Sequence, residues 1–169
     1  MELSKAELSE RIVEVIRERY DDQIVDISSP YDFLTITFKP ERIVEIIQFL
    51  YDNPETEFQF LTTLCGIHYP DLKSIAVMYQ LHNLPANFRI RLKIYLPEEN
   101  PVTGTITHIF KGANWMEREG FDFYGIKFTG HPNLRRILNV EDMIMFPMRK
   151  EFPLEDQVRE DKVDRMFGR

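Results

Sequence analysis

Residues 88–96 alternate without a break: Phe88, Ile90, Leu92, Ile94 and Leu96 against Arg89, Arg91, Lys93 and Tyr95. Side chains of a strand point to opposite faces in turn, so this stretch is a strand with one apolar and one basic face. Such a strand belongs to a sheet covered on one side only, which favours antiparallel pairing, because parallel sheets are covered on both faces. Residues 58–69 and 74–81, rich in β-branched and aromatic types, supply neighbouring strands across short connections.

Helices precede and follow these strands. Ser4 and Glu7 have capping-box spacing, and Leu8, Ile12, Val15, Ile16 and Tyr20 follow at helical intervals. Two extended stretches, 23–27 and 32–38, are separated by a turn at 28–31. Pro40 opens a second helix with an apolar stripe of Ile43, Val44, Ile46, Ile47, Leu50 and Tyr51. Helical spacing returns over 105–124, weakened by Gly112 and Gly120. Beyond Gly125 the chain is irregular, punctuated by Gly130, Pro132, Pro147 and Pro153. The order predicts an α+β fold: a mixed, mainly antiparallel sheet with helices packed on one face, followed by an irregular C-terminal arm. Residues 1–153 read as a single domain and 154–169 as a charged tail with little to bury. The arm needs something to lie on.

With 169 residues the chain is long enough to bury a core without a metal or disulfide. Its 21 Lys and Arg against 28 Asp and Glu give a net charge of −7, which argues against nucleic-acid binding through bulk charge. The single cysteine, Cys65, excludes an internal disulfide and an all-thiolate metal or iron–sulfur cage. The N-terminus lacks the apolar core of a signal peptide, and no run of about 18 apolar residues occurs. The expectation is a soluble, cytosolic protein.

Catalytic motifs are missing: there is no GxGxxG, Walker, HExxH or GxSxG sequence. His68, His82, His108 and His131 have no ligand spacing; the one conceivable metal set is Glu119, Asp122 and His131. Cys65, in an apolar strand, reads as a buried and inert thiol. No autonomous catalytic site is expected. The dense segment is 112–138. On a helical wheel Ala113, Met116, Glu117, Gly120 and Tyr124 share one side, whereas Trp115, Glu119 and Asp122 group opposite, with Arg118 at the edge. A carboxylate on the apolar face needs a partner, and Arg135 or Arg136 is the nearest in sequence. An outward tryptophan is the type of residue that anchors a partner surface. Arg135-Arg136 and Arg149-Lys150, set among apolar residues, read as salt-bridge donors rather than phosphate ligands.

At this segment the sequence resembles the respiratory complex I 30 kDa subunit family, the C-type subunit of bacterial NADH–quinone oxidoreductase. The resemblance rests on Trp115-Met116-Glu117-Arg118-Glu119, then Asp122, Gly125-Ile126, Gly130-His131-Pro132 and Leu134-Arg135-Arg136-Ile137-Leu138. Pro147-Met148-Arg149-Lys150-Glu151-Phe152-Pro153 resembles the family's later Pro-Leu-Arg-Lys stretch. One departure is the loop 139–146, which lacks the tryptophan and glycine usual in the family and has Met143, Ile144 and Met145 instead. The resemblance implies a stand-alone, structural or assembly subunit of the peripheral arm, without a cofactor of its own. FMN and iron–sulfur clusters then reside in partner subunits that pass electrons from NADH to a quinone, coupled to proton translocation. It further implies packing chiefly on the 49 kDa-type D subunit, with B and I nearby, on the cytoplasmic side of the bacterial inner membrane. Membrane association would then come only through the complex. Trp115, Glu117, Arg118, Glu119, Asp122, His131, Arg135, Arg136 and Arg149 are the implied structural or interface residues; none is assigned to catalysis, cofactor or metal. Two alternatives stand beside this reading: the matching subunit of a membrane-bound hydrogenase or deazaflavin-dependent dehydrogenase, and a free-standing metal-dependent hydrolase built on Glu117, Glu119, Asp122 and His131.

Overall fold

The structure, a computed structural model, describes residues 4–152. Helix α1 (Lys5–Tyr20) starts at the expected capping box: the Glu7 N–H donates to Ser4 Oγ at 3.3 Å, and the Ser4 N–H donates to the Glu7 carboxylate at 2.7 Å. Strands β1 (Ile24–Ser28) and β2 (Leu34–Phe38) follow as an antiparallel pair. A single 3-10 turn, Pro40–Arg42, leads into α2 (Ile43–Asp52), which buries Ile43, Ile46, Ile47 and Leu50. Strands β3 (Phe60–Tyr69), β4 (Ser74–Asn83) and β5 (Phe88–Pro97) then form an antiparallel meander.

The five strands make one sheet in the order β1-β2-β5-β4-β3. Every pairing is antiparallel except β2 with β5, where Leu34, Ile36 and Phe38 lie beside Ile90, Leu92 and Ile94. Across β5, Leu92 and Ile94 face Tyr79 and Val77 of β4. Register therefore gathers the apolar half of each strand on one face. There it joins Ile16, Tyr20, Ile47 and Leu50 of the helices in one core, all essentially inaccessible to solvent. Each such side chain contributes about 1.5–3 kcal/mol through burial. The basic face of β5 stays open, with Arg89 exposed and Arg91, Lys93 and Tyr95 half-buried. The one-sided, mainly antiparallel α+β sheet predicted from the alternation is the observed architecture.

The helix expected from residue 105 begins later. Strand β6 (Val102–Gly104) pairs in parallel with β7 (Lys127–Thr129), and α3 runs from Ala113 to Tyr124. Residues 105–112 are turns that drive Ile106 and Phe110 into the core. Apolar positions at helical spacing there come from a folded loop, and Gly104 lies so close to α2 that a Cβ would sit 2.6 Å from Val44 Cγ2. The tail 154–169 lies outside the described residues.

Candidate functional site

Helix α3 lies along the edge strand β3, at Gly66, where an added Cβ would stand 2.6 Å from the Tyr124 ring. Its C-terminus is capped by Gly125 at φ +77°, whose N–H donates to Phe121 O at 2.9 Å. The arm, residues 130–152, returns over this helix.

Asp122 organises the return. Its Oδ2 accepts the backbone N–H groups of Ile137 (3.1 Å), Leu138 (2.8 Å) and Asn139 (3.0 Å). Its Oδ1 accepts from Arg136 Nη1 at 2.8 Å and from Asn139 Nδ2 at 3.0 Å. Burial alone would raise this carboxyl's pKa, but the donors from Asn139, Arg136 and Leu138 outweigh it and hold the group well below the usual carboxylate range. Arg136 spends its other donors on Asp122 O, Met143 O and Met145 O, with its guanidinium over the Phe146 ring. Arg118 donates to the carbonyls of Arg135 and Arg136 at 3.0 and 3.1 Å and stacks on Trp115. Arg149 Nε donates to Tyr124 O at 2.9 Å, and the Lys150 N–H donates to His68 Nδ1 at 2.9 Å. His131 accepts the Asn133 N–H at Nδ1, so Nε2 bears the proton and donates to Asn114 O at 3.2 Å.

Glu117 is bound separately. Thr105 Oγ1 donates to one carboxylate oxygen at 2.5 Å and the Ile106 N–H to the other at 2.8 Å. Burial pushes this carboxyl up to about 6, against the two hydrogen bonds.

Several expectations are thereby corrected. Asp122 does not share an outward face with Trp115 and Glu119; it is fully buried, because the arm covers the side of α3 that the core does not. Glu117 pairs with Thr105 and Ile106 instead of Arg135 or Arg136; Arg136 serves Asp122, and the Arg135 side chain is exposed. Arg149 meets a backbone carbonyl, with no carboxylate of this chain paired to it among the described residues. Cys65 is half-buried, its thiol pushed up by burial first and by the Glu119 charge second. Glu119, Asp122 and His131 do not converge; among the described residues no group of three metal-capable side chains forms.

Trp115 is 62% exposed, as its place on the wheel predicts. Sequence reasoning missed Thr105, Asn139 and Phe146, none of which has a charge or spacing that marks it. It also missed how much apolar surface the arm turns outward: Leu138, Val140 and Met148 are exposed, and Ile144 is 92% exposed.

Fold and site define a two-layer α+β domain whose third helix is strapped by an ion-paired arm. A family model described as "Respiratory-chain NADH dehydrogenase, 30 Kd subunit" matches residues 36–158, and the chain belongs to this family. It is 42% identical over 140 residues to the second C-type subunit of NADH-quinone oxidoreductase from Rhizobium etli, covering 82% of this chain and 74% of that one. It is 41% identical over 144 residues to the C-type subunit of NADH-quinone oxidoreductase from a Roseiflexus species, covering 85% and 83%. Among solved structures, a trypsin-resistant fragment (1–134) of Nqo5 superposes with a TM-score of 0.64 at 30% identity, covering 75% of this chain and 99% of the fragment. A chain of the membrane-bound sulfane sulfur reductase, an archaeal respiratory membrane complex, shares the fold at 21% identity, with a TM-score of 0.74 and coverage of 90% and 96%. The resemblance read from the signature is borne out, and these relatives favour neither the hydrogenase, deazaflavin-dehydrogenase nor hydrolase alternative.

Proposed function

We propose that the chain is the peripheral-arm C-type subunit of an NADH–quinone oxidoreductase and acts as a structural and assembly subunit with no cofactor or catalytic site of its own. In this reading residues 1–153 are the working domain and 154–169 an appended tail. The observation that supports it most is the division of labour within the signature. Asp122, Arg136, Arg118, Arg149 and His131 are engaged in shaping the arm, and Glu117 in fixing α3 to the 105–106 turn. What remains outward is Trp115, Arg135, Glu119 and the aliphatic row of the arm. Tryptophan, arginine and contiguous apolar surface are the composition of a protein interface core. FMN and iron–sulfur clusters reside in partner subunits of the complex; the 49 kDa-type D subunit packs on this surface, with B and I nearby, on the cytoplasmic side of the inner membrane. Among the described residues no helix is long and apolar enough to cross a membrane, in keeping with attachment through the complex.

The experiment is Ile144→Asp in the full chain, expressed in place of wild type. A side chain 92% exposed has no packing to lose in the isolated protein, so melting should stay within about 2 °C of wild type, as for a surface change of about 0.5 kcal/mol or less. Recovery of the chain with the detergent-purified complex, and NADH–quinone activity, should fall together. Undiminished assembly and activity would remove this surface from the interface.

A further inference from the structure

The open face of the sheet presents a second surface, and its charge is one-signed. Strands β2, β3, β4 and β5 contain not one Asp or Glu, although the chain as a whole has 28. Their charged residues are Arg89, Arg91 and Lys93, all on the open side of β5. At alternate positions of a strand these cations stand about 7 Å apart. None is paired with a carboxylate among the described residues. Arg91 instead lies over the Phe33 ring at 4.2 Å, and Lys93 donates to Tyr69 Oη at 2.9 Å. The three like charges repel one another and have no carboxylate to offset them; Arg89 is exposed, and Arg91 and Lys93 are half-buried. In a chain with net charge −7, carboxylates are available to neutralise them, yet none is placed on these four strands.

We propose that this stripe is a docking site for an acidic polypeptide segment of a neighbouring subunit, separate from the apolar surface of the arm. The inference rests on the reading of this chain as a subunit of a larger complex. Charge complementarity identifies the occupant: carboxylates at strand spacing, or on one face of a helix, would meet the three cations in turn. Five strands at about 4.8 Å spacing and strands of up to ten residues give a face of the size a partner buries in a stable interface. A long polyanion such as nucleic acid would meet the excess negative charge of the remaining surface beyond the stripe.

The test uses the purified intact complex. A zero-length carbodiimide reagent joins amines to carboxylates already in contact, so it is applied to complexes with wild-type chain and with Arg89→Lys. Expected are amide links from positions 93 and 89 to Asp or Glu of one neighbouring subunit. Arg89→Glu/Lys93→Glu should lower retention of the chain in the complex about tenfold at about 0.15 M salt, the difference narrowing as salt rises. Arg89→Gln/Lys93→Gln, which removes charge without reversing it, should fall between and melt no lower than wild type. Links confined to this chain's own 153–169 segment or to a second copy would overturn the proposal. So would wild-type retention of the reversed variant, or stripe-dependent binding of the purified chain to phosphatidylglycerol vesicles. Loss of the Ile144→Asp effect would strike the subunit reading instead, and a wild-type chain absent from the complex would remove both.

Discussion

Asp122→Ala removes the acceptor on which five donors converge: the N–H groups of Ile137, Leu138 and Asn139, the Asn139 amide and Arg136 Nη1. Asp122 is inaccessible to solvent and Arg136 is 9% exposed, so the guanidinium is left without its counter-charge where water reaches it poorly. Breaking a buried pair in this way costs about 3–5 kcal/mol. The three backbone donors are only part-buried and regain water, which places the loss at the lower end, about 3 kcal/mol. For a chain of this size that is a fall of roughly 6–12 °C in melting temperature. Asp122→Asn keeps the volume and one acceptor oxygen but turns an NH2 toward Arg136 or the N–H triplet, so it falls between. Circular dichroism melts of the purified variants measure the loss, and hydrogen exchange locates it: the amides of 137–139 should lose protection first. The pH dependence adds a second arm. Because the folded pKa lies below the unfolded one, the stabilisation is fully present above about pH 4 and is lost as pH falls toward the folded value. Wild type should therefore lose stability more steeply than Asp122→Asn below about pH 4. A melting shift under about 2 °C with protected 137–139 amides would refute the assignment of the arm's attachment to this carboxylate.

Glu117 behaves in the opposite sense. Its folded pKa of about 6 lies above the unfolded value, so the folded state holds the extra proton and stability falls as pH rises from about 4.5 to 6. Glu117→Gln, which keeps an acceptor for Ile106, should flatten that slope and raise stability above pH 7 by up to about 2 kcal/mol; an unchanged slope in urea titrations would refute it. Gly125→Ala forces a side chain onto φ +77° and sets a Cβ 2.7 Å from the Phe146 ring, so it should cost about 1–3 kcal/mol and loosen the arm at 146–150. Wild-type melting and exchange at those amides would show that the ring can move aside freely.

The alternation over 88–96 was enough to place the sheet's covered and open faces, because period two fixes both at once. Strands β6 and β7 left no such trace, being three residues each and held by a parallel pairing between segments far apart in sequence. Within α3, periodicity sorted side chains against a single core. It placed Trp115 outward and Asp122 with it, since nothing in a wheel registers a second layer laid over the helix by residues 135–146. The partners of Asp122 and Glu117 were hidden for a related reason. They are mostly backbone N–H groups and a threonine hydroxyl, which every sequence supplies in abundance. Charge-pair reasoning therefore gave Arg136 to the wrong carboxylate. The family signature named these residues without saying which fold inward.

The parallel seam within the five-stranded sheet has a consequence during synthesis. Leu34 of β2 is matched by Ile90 of β5, 56 residues on, so the strand on that side is absent when β2 leaves the ribosome. At roughly 5–20 residues per second the gap lasts about 3–11 s. Throughout it the sequence Leu-Thr-Ile-Thr-Phe, β-branched and uncharged, presents an unfilled hydrogen-bonding edge of the type that recruits other strands. Closing a loop of that length costs roughly 3–4 kcal/mol of chain entropy, so β5 also arrives late in the refolding of a full-length chain. Yield of this protein should depend on how fast its middle third is translated, long before any partner is met.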